Sequence, residues 1–283
     1  MPVRDLDVGE ITAAVRELCI TANYDLPRDV YDALVAAREA EESPVGREVL
    51  GQLVENADIA ARDRVPICQD TGFAVIFADV GQDVHLTGGD FEEAIHEGVR
   101  RGYGDGYLRK SVAEEPGHAR RNTKDNTPAI IHTDIVPGDK VRLTMMAKGG
   151  GAENMSSLNM LKPSQGWPGM SQAVVDTVSR AGSNPCPPVI IGVGIGGTID
   201  EVTLLAKRAL LRDVGSTHPD PRVAAMEDEL LERINALGIG PQGLGGRTTA
   251  LDVFIEEMPS HIASMPMAVN VQCHAQRHKT VEL

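Results

Sequence analysis

The chain has 283 residues and a formal net charge of −14, an acidity that disfavours non-specific binding to nucleic acid or an anionic membrane. A chain of this length buries about three quarters of its unfolded surface in one or two lobes, and with aromatics at only 3% the core must be built from Val, Ile, Leu, Ala and Met. No apolar run reaches the ~18–20 residues that span a bilayer, the start MPVRDLDVGE lacks a signal-peptide core, and four cysteines do not form a disulfide framework here, so the expected setting is a reducing cytoplasm.

The first 65 or so residues read as helical. Val8, Ile11, Val15, Leu18 and Ala22 recur at helical spacing, a second helix follows Pro27, and a third opens with Ser43 as cap and Pro44 at the first helical position. RDRVPICQDTG stops this periodicity, and FAVIFADVG then reads as a strand. A helix is predicted from Phe91 to Arg101, followed by the long polar loop AEEPGHARRNTKDNTP, of a length that is usually functional or mobile. AIIHTDIV and DKVRLTMMA read as strands leading to KGGGAENMSS. A helix from Met170 to Arg180 precedes SNPCPP. VIIGVGIGGTIDEVTLLAKRALL reads strand, glycine turn, helix, and another helix runs from Pro221 to Leu237. After the glycine loop GIGPQGLGGRTTA come strand-like segments at LDVFIEE and MAVNVQC. The expected fold is mixed α/β of the α+β kind: one catalytic domain over 1–283, with a helical section at about 1–65 and a body of sheets flanked by helices at about 66–283.

Three cysteines stand in turn-forming polar contexts: Cys68 in PICQDTG, Cys186 in SNPCPP and Cys273 in NVQCHAQRH. Functional groups concentrate in such loops. Three soft thiolates would suit an iron–sulfur cluster, one short of the usual four, leaving an iron without a protein ligand and open to act as a Lewis acid. Spacing alone does not carry this, because CxxC clusters are absent and a cysteine in a long chain is commonly a small buried apolar group. Cys19, among Ile11, Val15, Leu18 and Ile20, is assigned to packing.

Other motifs have two readings each. Gly192-Val-Gly194-Ile-Gly196-Gly197 matches the dinucleotide pattern GxGxxG, but the second strand with its acidic residue is missing. A tight turn is the plainer reading, and a turn whose amides face an anionic site is preferred. KGGGAEN is either a hinge or a nest of amides for a carboxylate. Asp70 is either a turn cap or a proton acceptor, and Arg109 with Lys110 is either solvated surface or a fork for a carboxylate. His274 and His278 are read as part of a basic, anion-facing tail, with a metal pair as the alternative. His261 is an acid–base group or a structural histidine.

Taken in order, PICQDTG, KGGGAENMSSLNMLKPSQG, NPCPPVIIGVGIGGTIDEV, GIGPQGLGGRTTALDV and AVNVQCHAQRH resemble the class I fumarate hydratases, the iron–sulfur hydro-lyases. The resemblance covers nearly the whole chain. It implies a [4Fe–4S] cluster on Cys68, Cys186 and Cys273, with substrate at the remaining iron. It implies that Gln69 and Asp70 contact substrate, Arg109 clamps one carboxylate, the Gly150 or Gly151 amide holds the other, and His261 lies near the site. The chain stops at Leu283, just after the third cysteine motif. It is therefore expected to be the α subunit of the two-subunit type, completed by a β subunit that carries the catalytic base, as a dimer of αβ units.

The reaction so implied is reversible dehydration of (S)-malate to fumarate. The nearest alternative is the α subunit of L-tartrate dehydratase, and KGGGAENMS and QCHAQRH favour the fumarase version. A nicotinamide-binding domain on the GxGxxG-like segment is the remoter alternative.

Overall fold

The structure, a computed structural model, describes residues 3–283. In chain order its elements are β1 (Arg4–Asp7), α1 (Val8–Tyr24), α2 (Arg28–Ala40), α3 (Pro44–Asp63), β2 (Phe73–Gly81), β3 (Val84–Thr87), α4 (Phe91–Asp105), β4 (Ile130–Val136) and β5 (Val141–Lys148). There follow α5 (Gly150–Glu153), β6 (Ser157–Leu161), α6 (Gly166–Ala181), β7 (Val189–Gly197), α7 (Glu201–Ala209), α8 (Pro221–Asn235), β8 (Ala250–Ser260), β9 (Met265–Gln272) and β10 (Arg277–Glu282). The class is mixed α/β, as expected. The chain divides into two compact units, one of 1–27, 56–150 and 277–283, the other of 28–55 and 151–276. The N-terminal helices are shared between them.

The first unit is built on a four-stranded sheet of order β10-β5-β2-β4. β2 and β4 are parallel, while β5 is antiparallel to both β2 and β10. Side chains alternate along a strand, so Ala74, Ile76, Ala78 and Val80 of β2 and Val141, Leu143, Met145 and Ala147 of β5 share a core with α1 and α4. α1 starts where the Asp7 carboxylate accepts the Gly9 N–H, and it buries Ile11, Val15, Leu18, Cys19 and Ala22. Each large aliphatic side chain so buried contributes about 1.5–3 kcal/mol. α4 is capped by Asp90 through the Glu93 N–H and carries Glu92 and Glu93 in its first turn, where the helix dipole favours acids. α1 and α4 approach closely at Gly98 and Gly102, where an added Cβ would lie 2.6 Å from Val15 Cβ and 2.7 Å from Cys19 Cβ. β1 pairs in parallel with β3, a two-stranded ribbon that the helical reading of the N-terminus did not include.

The second unit has a four-stranded sheet of order β6-β9-β7-β8, with β7 parallel to β8 and antiparallel to β9. One face is covered by α6 and α8. Val174 and Val178 of α6 and Leu230 and Ile234 of α8 pack with Ile191, Val193, Val253, Ile255, Val269 and Val271. α7 covers the other face through Val202 and Ala206.

Here one expectation is corrected. GVGIGG is not a turn whose amides face an anionic site; it lies within β7. A Cβ on Gly192 would meet the Ala206 carbonyl oxygen at 2.1 Å, and one on Gly194 would meet that of Val202 at 2.5 Å. These glycines exist so that α7 can press onto the sheet, which removes the basis of the dinucleotide reading as well. A second correction concerns HAQRHK. Its latter half forms β10, antiparallel to β5, with Arg277 opposite Ala147 and only 1% exposed. It is an edge strand of that sheet with a buried cation, not a basic tail.

Candidate active site

In the first unit the site is the turn from Cys68 to Gly72, between α3 and β2. Cys68 is a half-buried free thiol, and the Asp70 N–H points to its Sγ at 3.4 Å. The Asp70 carboxylate accepts the Gly72 N–H at 3.0 Å and the Gly150 N–H at 2.8 Å. Gly72 has φ +65°, and a Cβ there would lie 2.3 Å from the Lys148 carbonyl oxygen, so the turn admits only glycine. Gln69 is exposed beside the thiol.

A buried polar frame holds this turn. The Tyr103 hydroxyl, from α4, donates to the Thr71 carbonyl at 2.8 Å and reaches that of Gly72 at 3.2 Å. Burial raises the Tyr103 pKa well above that of an ordinary tyrosine, so the hydroxyl keeps its proton and remains a donor. The Asn126 side chain, fully buried, donates through Nδ2 to the Gly72 carbonyl at 3.1 Å and accepts the Ser111 N–H on Oδ1 at 2.7 Å. The Thr71 hydroxyl donates to the Arg109 carbonyl at 2.8 Å. Arg277 donates to Asn23 Oδ1 and to the Asp70 carbonyl, both at 3.0 Å. Arg109, whose side chain is exposed, is thereby tied by its backbone to the turn that carries Cys68, Gln69 and Asp70.

Sequence reasoning missed Tyr103, Asn126 and Arg277. Their partners lie tens to hundreds of residues away in the chain, and only the Asn before Thr-Pro in DNTP gave a local turn signal. The glycine run is also used differently from a free nest, since the Gly150 amide is taken by Asp70.

In the second unit Cys186 is exposed and has φ +56°, a left-handed conformation unusual for a residue with a Cβ. Cys273 is buried, directly after β9. The next residue joins the two loops: the His274 N–H lies 3.4 Å and its Nδ1 3.0 Å from the Cys186 carbonyl oxygen. Gln242 supports them from the glycine loop, its N–H and Nε2 both donating to the Pro187 carbonyl at 2.7 Å, with Nε2 3.2 Å from His274 Nδ1. The Gly151 position faces the Asn184 carbonyl oxygen, 3.2 Å from where a Cβ would be. His261 sits at the exposed tip between β8 and β9, where its Nδ1 accepts the Ala263 N–H at 3.1 Å. The Arg247 and Thr248 amides are engaged by the Glu41 carboxylate.

Among the described residues no three His, Cys, Asp or Glu side chains converge as ligands of a single metal ion do. A cluster makes a different demand, because its thiolates bind separate irons and stand apart by the width of the cluster. The donors fit that demand in kind. Cys68, Cys186 and Cys273 are unbridged thiols in or beside turns, and an N–H aimed at sulfur, as at Cys68, is the contact that tunes cluster thiolates. Cys19 does not fit, because burial in α1 pushes its thiol pKa up and keeps it protonated. An open cleft of about 760 Å³ in the second unit is lined by Asp29, Asp32, Glu227, Asp228 and Asp252. Five carboxylates make it unsuited to a dianionic substrate.

The turn of this mixed α/β chain thus sets the Cys68 thiol beside a carboxylate, Asp70, held by two backbone amides. The profile of the family described as fumarate hydratase (fumerase) matches residues 12–282, and the chain belongs to that family of hydro-lyases. It is 42% identical over 272 residues to a Methanocaldococcus jannaschii protein named "Putative L(+)-tartrate dehydratase subunit alpha", covering 95% of both chains. It is 32% identical over 279 residues to the L(+)-tartrate dehydratase subunit alpha of Escherichia coli strain UTI89, covering 98% of this chain and 91% of the relative. With the corresponding subunit of strain K12 the identity is 31% over 276 residues, covering 97% of this chain and 91% of the relative. These relatives carry the name that the motif reading placed second.

Proposed function

We propose that this chain is the α subunit of a hydro-lyase that removes water from a four-carbon 2-hydroxydicarboxylate, with L(+)-tartrate as its substrate. The observation that carries the chemistry is the Asp70 carboxylate, held between two backbone amides in the same turn as Cys68. The names of the relatives support tartrate.

Cys68, Cys186 and Cys273 would hold a [4Fe–4S] cluster, which when bound supplies a Lewis-acidic iron for the substrate hydroxyl. Gln69 Oε1 lies 3.4 Å from Cys68 Sγ, so once Cys68 is a cluster thiolate the amide would present its NH2 to sulfur and substrate instead. Asp70 accepts or relays the proton, alone or paired with a base on a β subunit. Arg109 grips one substrate carboxylate as a planar fork. Because the Gly150 amide is committed to Asp70, the Gly151 amide is the better donor to the other carboxylate. His261, at an exposed tip, is available to a bound partner or substrate. The complete enzyme in this reading is a dimer of αβ units. Among the described residues no helix is long and apolar enough to cross a membrane.

A second reading, (S)-malate and fumarate, is favoured by the description of the family profile and by the KGGGAENMS and QCHAQRH segments. The test is direct. The chain is co-produced with its β subunit, reconstituted anaerobically with iron and sulfide, and assayed for oxaloacetate from L(+)-tartrate and fumarate from (S)-malate. The tartrate reading predicts the higher kcat/KM on tartrate. A reversed ratio selects malate, and no turnover of either overturns the hydro-lyase assignment.

A further inference from the structure

The Asp70 turn and the Arg109 stretch are separate in sequence, yet a dicarboxylate hydro-lyase needs its proton-handling carboxylate and its carboxylate-binding guanidinium at a set spacing. Two buried side chains join them. Asn126 uses both ends of its amide at once, its Nδ2 on the Gly72 carbonyl and its Oδ1 under the Ser111 N–H. These partners leave no choice of amide orientation, since a carbonyl needs a donor and an N–H needs an acceptor. The residue is fully buried and holds φ +65°, a backbone region that asparagine tolerates better than most residues. Thr71, 1% exposed, makes the parallel link from its hydroxyl to the Arg109 carbonyl at 2.8 Å. Tyr103 fastens the same turn from beneath.

We propose that Asn126 and Thr71 are positioning residues that set the spacing between Asp70 and Arg109, and hence the fit to a four-carbon dicarboxylate. Neither residue touches substrate. Each acts by cross-linking the backbone of one substrate-facing segment to that of the other. This rests on the assignment of Asp70 and Arg109 made under the proposed function.

Two near-isosteric variants test it. Asn126→Asp keeps the acceptor for Ser111 but turns a carboxylate oxygen on the Gly72 carbonyl. Thr71→Val removes only the hydroxyl. In the full chain, amide hydrogen exchange should quicken at 68–72 and 109–111 in both variants, while α1 and the central strands β2 and β5 keep wild-type protection. In the reconstituted αβ enzyme, KM for the preferred dicarboxylate should rise about tenfold, the size expected for a lost buried hydrogen bond, with a smaller fall in kcat. A smaller folded fraction would lower the apparent kcat and leave KM unchanged, so KM separates positioning from stability. If Asn126→Asp does not fold, Thr71→Val decides. Unchanged exchange in both segments, or KM within twofold of wild type, overturns the proposal. A wild-type enzyme inactive on tartrate and malate overturns the functional reading instead, and the exchange data then still judge the cross-link.

Discussion

Glu41 lies in the turn between α2 and α3, 1% exposed. Burial alone would raise its pKa, but the N–H groups of Arg247, Ser43, Thr248 and Glu42 outweigh that and hold it below the ordinary glutamate value. A group depressed in the folded state contributes stability above its unfolded pKa and loses it as pH falls through the folded one. Glu41→Gln should therefore destabilise the chain by about 1–3 kcal/mol at neutral pH. In urea titrations the gap from wild type should narrow as pH drops below the usual carboxylate range. A gap independent of pH would show that the amides do not favour the charged form. At this scale the sequence was readable where a residue's neighbours in the chain are also its neighbours in space. Cys19, set in a helical apolar stripe, is buried as expected. Asn126, Tyr103 and Arg277 were not readable, because each works on a backbone group 32 to 207 residues away.

At the scale of elements, periodicity located the pieces well. FAVIFADVG is the strand Phe73–Gly81, and the helix predicted from Phe91 to Arg101 runs to Asp105. The glycine-rich strand misled because its glycines answer to a helix packed across it, which local sequence does not reveal. Gly192→Ala would place a methyl 2.1 Å from the Ala206 carbonyl oxygen, and overpacking against backbone should cost about 2–4 kcal/mol or prevent soluble folding. Gly117→Ala, where nothing lies within 4 Å of the new methyl, should stay within about 0.5 kcal/mol of wild type. Equal urea midpoints for the two variants would refute this account of β7. The last strand was missed because its Arg, His and Lys residues read as polar tail, whereas pairing with β5 and a polar cage around Arg277 are long-range facts.

For the whole molecule, composition, motif order and the family profile agree on an acidic mixed α/β hydro-lyase chain. The choice of substrate was not legible in the motifs, since tartrate and malate differ by one hydroxyl and the same thiols, carboxylate and arginine would serve both. The cofactor reading makes a contrast between cysteines. Cys68→Ser should lose bound iron and sulfide after reconstitution, whereas Cys19→Ala should retain them, because Cys19 is a packing residue inside α1. Equal iron and sulfide contents in the two variants would remove Cys68 from the ligand set.

The proposed cluster, held by Cys68, Cys186 and Cys273, would be open to substrate. EPR of the anaerobically reconstituted, dithionite-reduced αβ enzyme, before and after addition of L(+)-tartrate or (S)-malate, tests it most directly. The expected result is a [4Fe–4S] signal whose line shape changes when the hydroxydicarboxylate is added. A signal unaltered by either compound, or no cluster signal at all, would contradict it.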